Sequence, residues 1–287
     1  MSALRKEDKS GGVERGVFTR VAGKGGINML YGAIIGDIAG SRFEFNNWRS
    51  KDFQIFSEDS FFTDDTLMTL AVAVGLAKSW KDGYKKLSAN TIKSIQEIGQ
   101  PYPYAGWGGN FHHWMYSKKP QPYNSFGNGA AMRVSAVGWF AQDTAEVINL
   151  SRAVTEISHN HEEGIKGAES VAMLVYFARL GADKAVLRSI ANNYYHWHFT
   201  LDEIRDTYEF NETCQDTVPQ AMEAFFESNS FEDAIRLAVS VGGDSDTLAA
   251  ITGSIAEAFY GVPEWMKKEA RGYLDEPLLD LLDQIDK

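Results

Sequence analysis

The uncharged run Leu67-Met-Thr-Leu-Ala-Val-Ala-Val-Gly-Leu-Ala77 follows directly on Thr63-Asp64-Asp65-Thr66. Thr and Asp at such a start satisfy the free backbone N–H groups of a helix's first turn, and the run is too long for a strand. The spacing predicts a helix over 61–80 that is buried on most of its sides, which places it inside a stack of other elements rather than on a surface.

Those other elements also read as helices. Val147, Leu150, Val154 and Ile157 recur at helical spacing over 144–157, and Ile165, Ala168, Ala172, Val175 and Tyr176 do so over 163–180. Further helices are expected over 219–226, 231–241 and 246–260, the last rich in Ala and Gly so that neighbours can approach closely. The acidic stretch from Leu274 to the C-terminus reads as a short amphipathic helix. Period-2 alternation is nearly absent, so the fold class is all-α, with 29–287 as a single domain and 1–28, basic and rich in Gly and Ser, as a flexible leader or extension. One segment resists this reading. Residues 102–129 are aromatic and Gly-rich without a clear helical period, and a long irregular insert is where ligand contacts are expected.

Charge and cysteine content exclude several classes. A formal charge of -11 repels nucleic-acid phosphates and anionic membrane alike, so stable binding to either is disfavoured. No apolar stretch approaches the ~20 residues of a membrane span, and no signal peptide opens the chain. The lone Cys214 rules out an internal disulfide and any multi-thiolate metal site, and a cytoplasmic location is expected.

The chemistry is concentrated in two partial echoes. Thr63-Asp64-Asp65-Thr66-Leu67 and Asp244-Ser245-Asp246-Thr247-Leu248 each open an apolar, small-residue helix. Helix capping accounts for one Asp at each. If the two helix starts meet, four carboxylates would repel by roughly 4 kcal/mol per close pair at an effective dielectric of ~20, so a cation must accompany them. Hard oxygen donors suit Mg²⁺ or Mn²⁺ better than Zn²⁺. The residues alone leave capping and metal binding both open.

Four further segments qualify. Small residues in Gly32-Ala-Ile-Ile-Gly-Asp-Ile-Ala-Gly40 invite close helix packing and put Asp37 and Glu44 on one face if the helix continues that far. Ser125-Phe-Gly-Asn-Gly-Ala-Ala-Met-Arg133 is a Gly-rich turn opening a helix, able to hold phosphate through its N–H groups. Ser158-His159-Asn160-His161 stands before a helix, with capping and packing as the plainer use of its imidazoles. Tyr104, Trp107 and Phe111 could stack a nucleobase or simply pack.

Taken together, these motifs, in this order and over residues 29–261, resemble the ADP-ribosylglycohydrolase family. The resemblance implies an all-α orthogonal bundle with two Mg²⁺ or Mn²⁺ ions at the base of an ADP-ribose cleft. It implies Thr63, Asp64, Asp65, Asp244, Asp246 and Thr247 as metal ligands, with Glu44, Asp65 and Asp246 as the catalytic carboxylates. On the substrate side it implies Trp107, Gly109, Ser125, Phe126, Gly127, Asn128 and Gly129, together with His159 and His161. Phe126 departs from the expected Tyr, which removes one hydroxyl hydrogen bond and keeps the ring. The implied activity is hydrolysis of the glycosidic bond at the anomeric ribose carbon of an ADP-ribosylated protein side chain, arginine first because a guanidinium suits an acidic cleft. Two alternatives stay open: another ADP-ribose conjugate (serine, a nucleic-acid base or a free metabolite), and a non-catalytic ADP-ribose-binding or toxin-neutralising protein.

Overall fold

Helix follows helix through residues 29–285, which the computed structural model describes, and no strand occurs among them. The leader expected at 1–28 lies outside the described residues. In chain order the helices are α1 (Tyr31–Gly40), α2 (Asp64–Ser79), α3 (Leu87–Gly99), α4 (Gly109–Tyr116) and α5 (Gly129–Met132). Then come α6 (Ser135–Phe140), α7 (Thr144–Thr155), α8 (Glu162–Arg179), α9 (Lys184–Ala191) and α10 (Leu201–Ile204). The last are α11 (Cys214–Glu227), α12 (Phe231–Ser240), α13 (Ser245–Tyr260), α14 (Glu264–Arg271) and α15 (Glu276–Ile285). The all-α expectation holds, and no helix among the described residues is long and apolar enough to cross a membrane.

Small residues set the central contact. Gly32, Gly36 and Gly40 line one face of α1 and meet Gly253, Ala249 and Ser245 of α13 in reverse order, so the two helices run antiparallel with their backbones touching. A Cβ on Gly36 would stand 2.1 Å from the Ala249 carbonyl oxygen. The seam brings the C-terminus of α1 beside the N-terminus of α13. Helix starts are then held by carboxylates from neighbouring helices. Glu257 of α13 accepts from the N–H groups of Tyr31 (3.1 Å) and Gly32 (3.0 Å), and Asp37 of α1 accepts from those of Thr63 (2.8 Å) and Thr66 (3.0 Å). Each acceptor satisfies donors that a helix's first turn leaves free. Around this seam α2 and α13 are buried along nearly their whole lengths, as the apolar run at 67–77 requires.

Three expectations need correction. The helix assigned to 219–226 starts at Cys214, with Pro219 inside it. Burial of Thr217, Val218, Ala221, Met222 and Phe225 outweighs the one hydrogen bond that proline cannot donate. The insert 102–129 contains α4, whose buried Phe111, Trp114 and Met115 have helical spacing for a single turn only, too short a signal among glycines. Finally, α1 stops at Gly40 and a 3₁₀ turn, Ser41–Phe43, carries the chain to Glu44.

Candidate functional site

The two sequence echoes meet. Thr247 Oγ1, in the first turn of α13, donates to Asp65 Oδ2 in the first turn of α2 at 3.1 Å. One carboxylate oxygen from each of Asp37, Asp65 and Asp246 lies within 4.8 Å of the other two, and the same holds for Glu44, Asp244 and Asp246. Asp246 belongs to both groups. Capping by the helices' own aspartates explains little of this, because the N-cap of α2 is Thr63 and Asp244 makes no capping bond at the start of α13.

Burial and mutual repulsion dominate the electrostatics. Asp65 and Asp246 are held well above the usual carboxylate range, first by desolvation and then by neighbouring carboxylates. Glu44 is pushed up to about 8 by burial, then by the charges of Asp246, Asp37 and Glu212. Burial lifts Asp244 to about 7 against the pull of its hydrogen bonds, and lifts Asp37 to about 6 against donation from Thr63 and Thr66. Asp64 is raised well above its ordinary value by burial and by Asp246.

This arrangement fits divalent cations. Asp65 Oδ1 and Asp246 Oδ1 are buried with no hydrogen-bond partner, which is costly for an anion unless a positive charge faces it. The donor set is oxygen throughout, the preference of Mg²⁺ and Mn²⁺.

Beyond the carboxylates a cavity of about 420 Å³ opens, within the range of small-molecule sites. Its second wall is the Gly-rich loop. Loop 125–128 is laced to the segment before α11 by hydrogen bonds from Asn128 N to Glu212 O (2.7 Å) and from Cys214 N to Phe126 O (2.9 Å). Asn128 joins the two walls, its amide donating to Asp244 Oδ2 at 2.6 Å and to Thr217 Oγ1 at 3.2 Å. Further out, Arg49 of the loop after Glu44 donates to the carbonyls of Arg205, Val241 and Tyr208, while Asn47 and Gly243 exchange hydrogen bonds of 2.8 and 2.9 Å. The rim is therefore tied to the Gly242-Gly243 turn that precedes Asp244.

Most of the expected residues line this cavity. On the acidic side they are Glu44, Asp64, Asp65, Asp244, Asp246 and Thr247; on the loop side Gly109, Ser125, Phe126, Gly127, Asn128 and Gly129, with His159 between. Three do not. Trp107 packs inward, its indole N–H donating to Tyr102 O at 2.7 Å. His161 caps α8 by accepting from Glu163 N at 3.1 Å, its ring against Phe126. Thr63 Oγ1 donates to Asp37 Oδ1 at 2.7 Å instead of facing the cavity. Sequence reasoning missed Tyr123, Asn124, Arg133, Glu212 and Thr213, all of them lining residues. Glu212 and Thr213 lie in a segment without a motif, and only the pairing of Gly127 with Thr213 brings them in. Arg133 ends the Gly-rich motif, so its position there was the available signal.

Comparison with known proteins agrees with this geometry. A family model described as ADP-ribosylglycohydrolase matches residues 17–287. The chain is 27% identical over 301 residues to the ADP-ribosylarginine hydrolase Tri1 of Pseudomonas putida, covering 90% of this chain and 78% of the relative. It is 21% identical over 333 residues to the ADP-ribosylhydrolase ARH3 of Mus musculus, covering 87% and 88%. Among solved structures, a chain of an ADP-ribosylglycohydrolase-related protein complex shares the fold with a TM-score of 0.65 at 21% identity, over 91% of this chain and 97% of that one.

Proposed function

The chain belongs to the ADP-ribosylglycohydrolase family, and we propose that it is a metal-dependent hydrolase that releases ADP-ribose from modified arginine side chains of proteins. The observation that carries this reading is the meeting of two buried carboxylate groups, sharing Asp246, at one end of a cavity whose other wall is the Gly-rich loop.

Asp64, Asp65, Asp244, Asp246 and Thr247, with Thr63 behind them, would hold two Mg²⁺ or Mn²⁺ ions. Bound there, the ions supply positive charge that orients ribose hydroxyls and acidifies water. The chain's own residues do the rest. Gly127, Gly129 and Ser125 hold the diphosphate side, and Phe126 and Phe111 offer rings along the cavity. Glycosidic cleavage passes through an oxocarbenium-like state. The carboxylates beside the anomeric carbon stabilise that positive charge. Glu44, half-buried where the acidic wall opens to solvent, accepts the proton of the attacking water. The water oxygen bonds the anomeric carbon as the bond to the acceptor nitrogen breaks, and the departing guanidine takes a proton from solvent.

Two features support arginine as the acceptor. Exposed Glu212 adds negative charge at the mouth, and the exposed rings of Phe45 and Phe210, which flank Glu44 and Glu212 in sequence, stack 5.8 Å apart. A planar cation is attracted to both a carboxylate and an aromatic face. The relative in Pseudomonas putida, by name an ADP-ribosylarginine hydrolase, points the same way.

The test is release of ADP-ribose from arginine-, serine- and nucleic-acid-linked conjugates, with Mg²⁺ or Mn²⁺ and again with chelator, followed by mass. Metal-dependent release from the arginine conjugate is expected. Release from another conjugate alone would move the acceptor, and tight ADP-ribose binding without any release would replace the enzyme with a binding protein.

A further inference from the structure

His159 lines the cavity, is 5% exposed, and lies between the rings of Phe111 and Tyr123. Its Nδ1 is 2.8 Å from Ser158 Oγ, and the same Ser158 Oγ accepts from Arg133 Nη2 at 2.8 Å. A guanidinium has no acceptor, so the Arg133 contact consumes a lone pair of the hydroxyl and leaves the Ser158 hydrogen to be donated. The acceptor within reach is His159 Nδ1. A nitrogen that accepts carries no hydrogen, so the proton of the neutral ring stands on Nε2. That atom points at the Gly-rich loop, 3.5 and 3.4 Å from where side chains on Gly127 and Gly129 would begin, and no protein group among the described residues bonds it.

We propose that Arg133 and Ser158 are positioning residues that lock His159 as its Nε2–H tautomer, presenting a fixed, uncharged hydrogen-bond donor to an oxygen of the bound nucleotide. The lock itself is independent of the ligand; the identity of that oxygen rests on the ADP-ribose reading given above. Burial, and then the charge of Arg133, hold the imidazole well below its ordinary pKa, which keeps the ring neutral. Arg133 is 1% exposed and spends its Nη2 donors on Ser158 and on the carbonyls of Val154 and Thr155, which fixes that end of the guanidinium against the serine. The two glycines leave room for an oxygen to reach Nε2.

The experiment is long-range ¹H–¹⁵N correlation of the imidazoles in the full-length ¹⁵N-labelled protein, with His159 assigned by its loss in His159→Gln. The wild type should show a protonated Nε2 and a bare Nδ1. Ser158→Ala should move His159 toward a mixture of tautomers and weaken ADP-ribose binding by about 3- to 10-fold, the size of one hydrogen bond, with helicity unchanged. Ser158→Thr, which keeps the hydroxyl, should restore both. Arg133→Ala removes a wholly buried group and risks the fold, so the serine series carries the test. A protonated Nδ1 or an imidazolium in the wild type overturns the proposal, as does a Ser158→Ala protein with unchanged spectrum and affinity. The expected spectrum in a protein that binds no ADP-ribose upholds the lock and overturns the ligand assignment instead.

Discussion

The two walls of the cavity are held by different means. The acidic wall stands on helix starts fixed by backbone contact, α1 against α13 with no side chain between them at Gly32, Gly36 and Gly40. The loop wall hangs on single hydrogen bonds between irregular segments: Tyr123 N to Ser158 O at 3.2 Å, Asn124 N to Asn160 Oδ1 at 2.7 Å, and the pairing of Gly127 with Thr213. A close-packed seam has no room for an added atom, whereas a hydrogen-bonded loop can give by a few tenths of an ångström. The acidic wall is thus mounted on close-packed backbone, and the loop wall on segments that can shift without disturbing that packing.

The contrast is sharpest at single glycines. Gly36→Ala would drive a methyl into the Ala249 carbonyl, and a loss of about 4 kcal/mol or more is expected, enough to leave most of the protein unfolded in a thermal melt. A normal melt for this variant would break the comparison. Next in size is Asp246→Asn, which removes the carboxylate common to both groups. Turnover should fall by about 10³-fold or more while helicity stays the same, and the chelated protein should melt no lower than wild type because a repelling charge is gone. Full activity in this variant would sink the metal assignment.

A smaller effect concerns pH. Asp244 and Glu44 titrate near 7 and 8 in the folded, metal-free protein, above their ordinary values, so the folded state binds more protons than the unfolded one in that window. Their contribution is complete at low pH and is lost as pH rises through these values. Neutral, buried His159 gives the opposite slope below its ordinary 6.5, so the interval from 6.5 to 8 isolates the carboxylates. Chelated protein should therefore melt at progressively lower temperature across it, and excess Mg²⁺ should flatten the trend. A flat profile with chelator present would mean that these carboxylates do not crowd one another as described. The smallest effect is expected from Gly129→Ala on the loop wall. The added methyl meets His159 Nε2 at 3.4 Å, and His159 Cε1 and Met132 Cε at 3.8 Å. Stability should change by less than about 1 kcal/mol, while ADP-ribose affinity, read by calorimetry, should drop several-fold.

The same division governs what could be read from the amino-acid order. Helix starts announce themselves locally, and the echo of Thr63-Asp-Asp-Thr in Asp244-Ser-Asp-Thr exposed the acidic wall before any coordinates. The glycine stripe of α1 likewise advertised a close neighbour, though not that the neighbour is α13. Loop partners leave no such trace. Glu212 lines the cavity because loop 125–128 happens to pair with its segment, and Trp107 misses it because its indole finds the Tyr102 carbonyl; neither fact has a period or a spacing. Thr63 had the right residue type in the right motif, yet a carboxylate on another helix claims its hydroxyl.

Glu257 holds the first turn of α1 from 226 residues further along the chain than Tyr31. The first helix among the described residues thus receives its cap from a helix far downstream in the chain. During synthesis α1 and α2 leave the ribosome long before α13 exists, so the acidic wall has no second half until α13 has been made. Nascent chains should remain unable to gather cations, and remain clients of whatever shields apolar helices, until residue 257 has cleared the exit tunnel. A truncation before Asp244 removes the second half of the acidic wall, and one between Thr247 and Glu257 removes the cap of α1.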